Sequence, residues 1–344
     1  MQARDILEPS CSIEEDVDGM AIVTVRGPIL AQQAGSTLSH EHLLCDLWSL
    51  TRNYDCILDD ECLAIQELAE YQKVGGNALV DATSCGLGRN PRALKRISEA
   101  AGVHIIMGSG WYRESVYPQF VYELDTNALA DLIVKDLTEG ADETDIRAGI
   151  IGEIGTERHH ITPAQERVFR AAARAQGRTG ACIMTHTTHF GELALEQISL
   201  LREEGVPSDR IVISHLGDRH DTTELLKVAA QGVFVSVDNI GYLGHGYPAD
   251  TIRIRNVCLL IAEGYLGQIV LGGDVCQKSH LRAYGGKGYA HVFQRFLPLL
   301  KSNDVSEDAI CRMMVENPAR MLDIPQEVPY QPETCAKQAR TELN

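Results

Sequence analysis

The chain has 344 residues, 44% of them hydrophobic and 23% charged, a composition ordinary for a globular chain with a sizeable core. Its formal net charge of −17 repels phosphate backbones and anionic lipid, which argues against nucleic-acid and membrane-surface partners. Ten cysteines scatter from Cys11 to Cys335 without a CxxC pair, and no apolar run is long enough to span a bilayer. The N-terminal MQARDILEPS lacks the basic, apolar and small-residue order of a secretion signal. A reduced, cytoplasmic protein is therefore expected, most of its thiols packed as small hydrophobes.

Residues 1–35 contain MAIVTVRGPIL, read as a small β extension. Short apolar, often β-branched runs then alternate with amphipathic stretches. The strand candidates are STLSHEH (36–42), NALVDATS (77–84), VHIIMGSG (103–110), AGIIGEIG (148–155), ACIMTHT (181–187), RIVISH (210–215), GVFVSVDN (232–239) and QIVLGGD (268–274). Among the helical segments between them, ECLAIQELAEYQKVG ends on a glycine suited to a C-cap. TPAQERVFRAAARAQG opens on Thr-Pro and closes on Gly177, and DTTELLKVAAQG takes Asp221 or Thr222 as its cap. DAICRMMVENPARMLDI reads as a final helix or helix pair, followed after Pro325 by a polar tail expected to lie loosely on the surface.

Eight buried-type strands, each followed by helical sequence, are what a (β/α)8 TIM barrel requires, in an α/β chain with a short N-terminal β extension over the barrel bottom. Counting strands does not show closure, so an open doubly wound sheet remains the competitor. The whole chain, 1–344, is read as one domain with the barrel at about 36–322.

In such a barrel the chemistry sits at the C-terminal strand ends. His40 and His42 are two apart, a spacing that puts both on one face of an extended strand. Glu153 closes the fourth strand, His186 the fifth, His215 the sixth and Asp274 the eighth. Four histidines and two carboxylates at one rim make a two-metal site. Histidine with carboxylate suits zinc first, with manganese, cobalt or iron also compatible. GLGRNP (86–91) lacks the third glycine of a dinucleotide fingerprint, and AYGGKGYAH (283–291), with Lys287 and His291, lacks P-loop order. The latter reads as a loop that shapes the pocket. His159 and His160 read as solvated loop residues, and His189 as an outer-shell or surface residue.

The motifs SHEH, GIIGEIG, THT, ISHLGD, LGGD and ENPARML together resemble the phosphotriesterase family of the amidohydrolase superfamily, from about Gly35 to Leu322. The resemblance implies that His40, His42 and Asp274 hold a buried divalent ion and that His186 and His215 hold a more exposed one. The two ions would share a carboxylate-type bridge and a hydroxide. Many relatives bridge with a carbamylated lysine, whereas Glu153 resembles a glutamate-bridged subgroup and needs no carbon dioxide to assemble. Asp274 would take a proton from the attacking water, and Asp218 resembles the carboxylate that relays it outward; a helix cap is its other reading. Tyr112 matches a position bordering the bridging water. Arg113 and Glu114 follow it without a fixed direction. Asn239 stands where some lactone-hydrolysing relatives carry arginine, which weakens transfer of their preference.

The expected activity is hydrolysis of an ester-like bond in a small molecule: a lactone, carboxylic ester or amide, with phosphotriester cleavage as a side activity. A mononuclear deaminase with the same H-x-H site and a non-catalytic ligand-binding relative are the alternatives. A homodimer is expected by the same resemblance.

Overall fold

The computed structural model describes residues 20–325 apart from His189 and His245, so the tail after Pro325 and the reading of His189 fall outside the described residues. The chain opens with an antiparallel pair, β1 (Met20–Thr24) and β2 (Gly27–Ile29). The first barrel strand, β3 (Thr37–Glu41), follows, then a small antiparallel ribbon, β4 (Cys45–Asp46) with β5 (Ile57–Leu58). The remaining barrel strands are β6 (Ala78–Asp81), β7 (His104–Ser109), β8 (Ile150–Gly155), β9 (Ile183–His186), β10 (Ile211–Ile213), β11 (Phe234–Val237) and β12 (Ile269–Leu271). All eight expected strands are present, in sequential parallel order. Each is shorter than its apolar run: seven stop before the run's last residue, which joins the rim, while β8 starts late and keeps its run's end at Gly155.

The barrel closes between its first and last strands. Ser39 Oγ donates to Leu271 O at 2.9 Å, and Asp274 N donates to His40 O at 3.0 Å. This seam needs Gly272, where a Cβ would stand 2.7 Å from the His40 carbonyl oxygen. Closure selects the barrel over the open sheet.

Most strands are apolar on both faces, as suits a buried parallel strand; the exception is β3, TLSHE, where Leu38 is the one apolar residue. Val80, Ile106, Ile150, Met184, Val212 and Val270 point inward as one cluster, while Leu79, Ile105, Ile151, Ile183, Ile213 and Leu271 pack outward under the helices. Ile22 of β1 joins the inner cluster with Met321 and Leu322, plugging the N-terminal end as expected of the extension. Burying a side chain of this size contributes about 1.5–3 kcal/mol.

Helix ends follow local chemistry. Asp60 caps Glu61–Lys73, and Thr162 caps Pro163–Thr179 in a capping box with Gln165. The second helix runs past Gly177 and ends at Gly180, the glycine in left-handed conformation. The C-terminal helical segment carries a π-turn at Arg312–Glu316 before Asn317–Leu322. It is followed by an unexpected strand, β13 (Asp323–Pro325), which pairs antiparallel with β1. Seven described cysteines are free thiols; Cys311, which is disulfide-bonded, departs from the expectation. Among the described residues no helix is long and apolar enough to cross a membrane.

Candidate metal centre

The six candidate ligands meet at the C-terminal rim. His40 and His42 lie at the end of β3, Glu153 in β8, His186 at the end of β9, and His215 and Asp274 just past β10 and β12. His215, Asn239 and Asp274 turn their chains away from the barrel with φ of 65°, 56° and 51°, a left-handed conformation rare in non-glycine residues and concentrated at functional sites.

Each of three histidines is gripped by Nδ1. The Nδ1 of His42 lies 2.9 Å from Thr83 Oγ1, and that of His40 lies 3.2 Å from Ser214 Oγ and 3.4 Å from Asp238 Oδ2. The Nδ1 of His215 lies 2.9 Å from Asp238 Oδ1. Fixing Nδ1 sets the tautomer and turns Nε2 toward the centre. There, His42 Nε2 lies 3.3 Å from Asp274 Oδ1, and His40 Nε2 lies 3.7 Å from the same oxygen. Glu153 Oε1 is shared: 2.7 Å from His186 Nδ1, 3.1 Å from His215 Nε2 and 3.5 Å from His40 Nε2. His186 is the exception, turning Nδ1 inward while Tyr112 Oη lies 3.0 Å from its Nε2.

Two groups, His40–His42–Asp274 and Glu153–His186–His215, bring ligand atoms within 4.8 Å of one another. His40 Nε2 is buried with no hydrogen-bond partner, an orphan that an ion would satisfy. Buried imidazole nitrogens aimed at carboxylate oxygens are a donor set for divalent transition ions. The residues present therefore fit a pair of such ions.

Charge is strongly coupled here. Burial alone raises a carboxyl, yet the imidazoles of His186 and His40 outweigh it and hold Glu153 well below the usual carboxylate range. Burial lowers His40, but Glu153, Asp238 and Asp274 overcome that and push it up to about 9. The proton that His40 holds in this way must be displaced when an ion binds its Nε2.

Asp238 is a site residue that sequence reasoning passed over for its neighbour Asn239. It is fully buried and also accepts from the His215 amide at 3.0 Å and from Ser236 Oγ at 2.8 Å. Two-residue alternation from Ser236 along β11 was the signal that could have found it. A third possible ligand group, His40–His215–Asp238, uses the Nδ1 side of the same imidazoles.

Asp218 is no helix cap, because Asp221 caps the next helix. Its buried carboxylate lies 2.5 Å from the buried Arg253 guanidinium and accepts from Asn239 Nδ2 at 2.8 Å. Burial, only partly offset by Arg253, pushes it up to about 7. Tyr112 is buried and borders the cavity; burial keeps its phenol neutral. Arg113 lines the cavity with its guanidinium on Glu157 at 2.6 Å, whereas Glu114 is not part of the wall. His159 and His160 are exposed, as expected, and His159 rests 3.2 Å from Glu192.

The cavity over the centre holds about 260 Å³, with Leu47, Leu87 and Phe190 adding apolar wall.

The phosphotriesterase homology protein of Escherichia coli, solved with phosphate in its active site, superposes with a TM-score of 0.81 at 34% identity, over 84% of this chain and 99% of that one. A lactonase from Listeria monocytogenes superposes with a TM-score of 0.82 at 29% identity, over 88% and 98%. An N-acetyltaurine hydrolase of Danio rerio is 32% identical over 341 residues, covering 88% of this chain and 97% of that protein. The model of the phosphotriesterase family matches residues 20–322, and the chain belongs to that family.

Proposed function

We propose that the chain is a binuclear metal-dependent hydrolase that cleaves a carbonyl–heteroatom bond in a small molecule, with an amide as the first choice. Lactone or carboxylic ester cleavage is the second reading, and phosphotriester cleavage a side activity. The observation that carries it is Glu153 Oε1, set among three imidazole nitrogens from three strands, between two ligand clusters. A mononuclear deaminase has no use for the second cluster, and a binding protein needs neither. The amide preference is supported by the relative named as an N-acetyltaurine hydrolase, and the second reading by the relative named as a lactonase.

His40, His42 and Asp274 would hold one ion and His186 and His215 the other, with Glu153 between; zinc is the default, with manganese, cobalt or iron as substitutes. Bound divalent ions supply Lewis acidity and bring a water's pKa down toward neutrality. Asp274 accepts the proton of the attacking water as the new carbon–oxygen bond forms. That proton returns to the leaving nitrogen as the carbon–nitrogen bond breaks. A second proton is lost when a new water replaces the one consumed, and Asp218, whose carboxyl is pushed up to about 7 by burial, is the proposed relay of that proton to solvent. The neutral Tyr112 phenol, beside His186, is the proposed donor toward the substrate's reacting oxygen.

The test is a screen of zinc-reconstituted protein against N-acyl amides, lactones, carboxylic esters and phosphotriesters. Zinc-dependent turnover of N-acyl amides supports the proposal, and no turnover of any class by protein carrying two ions defeats it. Assembly as a homodimer belongs to the same reading and is checked by light scattering.

A further inference from the structure

Among the six candidate ligands, Asp274 is steered differently from the rest. His40, His42 and His215 are fixed through Nδ1, and Glu153 is wedged among imidazoles. No hydrogen bond reaches the Asp274 carboxylate among the described residues. Imidazole nitrogens stand off from it, His42 Nε2 at 3.3 Å, His40 Nε2 at 3.7 Å and His215 Nδ1 at 4.0 Å. Its direction is set through its backbone, which holds a left-handed φ of 51°.

That backbone is gripped by β3. Glu41, between His40 and His42, is fully buried and turns its carboxylate across the barrel seam. Its Oε1 accepts from Gly273 N at 2.5 Å and its Oε2 from Val275 N at 3.0 Å, the amides on either side of Asp274. The Asp274 amide donates to His40 O at 3.0 Å, so three successive amides end on two successive residues of the H-x-H segment. The Asp274 carbonyl accepts from Tyr242 Oη. Gly273 makes room for this grip, because a Cβ there would stand 2.9 Å from Glu41 Oε1 and 3.2 Å from Oε2. The phenols beside Glu41, Tyr71 and Tyr289, donate to the carbonyls of Ala78 and His42 instead. An ionised carboxylate, acceptor at both oxygens, satisfies the two amides, whereas a carboxamide would turn its own NH2 against one of them. The seam does not need Glu41 to close, since Ser39 Oγ reaches Leu271 O independently.

We propose that Glu41 is the positioning residue for Asp274: by holding the amides of Gly273 and Val275, it aims the Asp274 carboxylate at the ion shared with His40 and His42. The inference rests on the binuclear reading and deepens it, giving the middle residue of the H-x-H segment a task of its own. The same turn sets where Asp274 meets the proton of the attacking water. The other ion does not depend on this grip. Glu153, His186 and His215 come from other strands, and no hydrogen bond joins them to Glu41 among the described residues.

The test reads metal and not turnover. Full-length wild type, Glu41→Gln, Asp274→Asn and the double variant are freed of metal and titrated with Zn2+ against a chromophoric chelator. E41Q should weaken one of the two ions about 10- to 100-fold and spare the other, and the weakened ion should be the one that D274N weakens. In the double variant E41Q should add nothing to D274N, because its effect passes through the Asp274 carboxylate. With Co2+ in place of zinc, the visible bands of that same ion should change in E41Q. Where E41Q does not fold, Gly273→Ala, which crowds the carboxylate off its amides and leaves its charge, takes its place with the same expectations. Wild-type affinity at both ions, unchanged cobalt bands, or additive losses in the double variant would overturn the inference. Equal weakening of both ions would also overturn it, since that is what a merely structural seam residue predicts. Wild type that takes one ion only would sink the binuclear reading, and Glu41 would then stand or fall on whether E41Q weakens that ion through Asp274.

Discussion

Replacing Asp238 by asparagine tests whether the carboxylate behind the histidines sets the metal affinity. The side chain keeps its shape, so its packing at full burial is preserved. Its hydrogen bonding is not. The carboxylate faces the His215 ring Nδ1, the His215 amide and the Ser236 hydroxyl, with His40 Nδ1 at 3.4 Å. An amide can present its oxygen to the His215 ring or to the backbone pair, and its NH2 must then meet a donor on the other side. One buried polar group left without a partner costs about 1–3 kcal/mol. At about 1.4 kcal/mol per factor of ten, that is roughly a 5- to 150-fold loss, the range found when such orienting contacts to metal-ligating histidines are removed. Zinc affinity, measured by competition with a chromophoric chelator, should fall by about 10- to 100-fold for the ion held by His215. Circular dichroism should stay unchanged. Wild-type affinity at both sites in D238N would refute the reasoning.

The remaining predictions concern the bridge, the relay and protons. Glu153→Gln removes the shared anion, and bound zinc by mass spectrometry of metal content should drop below two per chain with hydrolysis abolished; full activity would exclude a bridging role. Asp218→Asn should slow turnover while leaving zinc content intact, and an unchanged rate removes the relay assignment. His40 is held up to about 9 in the metal-free protein, so below that pH zinc must displace its proton. Apparent zinc affinity should therefore rise with pH by about tenfold per unit per proton released, and flatten above about pH 9. A pH-independent affinity between about pH 6 and 9 would contradict a protonated His40.

Most of the eight strands were legible because a strand buried on both faces is largely apolar, as in ALVD at β6 and HIIMGS at β7, whereas TLSHE at β3 was found by its H-x-H spacing. The candidate ligands were legible because each is a metal-competent polar residue at or near the end of such a run, Glu153 two residues before the end of β8. Closure was not, since it depends on the β3–β12 seam and on Gly272, with Ser39 and Leu271 232 residues apart in the chain, a contact that no local period encodes. The β1–β13 pairing escaped for the same reason. Gly177 misled because a glycine can be carried inside a helix; the chain turns only where Gly180 adopts the left-handed conformation. Asp218 could be placed near the rim but not paired, because its partner Arg253 comes from the helix that follows β11.

The account stands on two clusters joined by Glu153. A zinc-soaked crystal read by anomalous scattering tests this most directly. Two peaks are predicted, one among His40, His42 and Asp274 and one beside His186 and His215, with Glu153 ligating both. A single peak, or none, would contradict it.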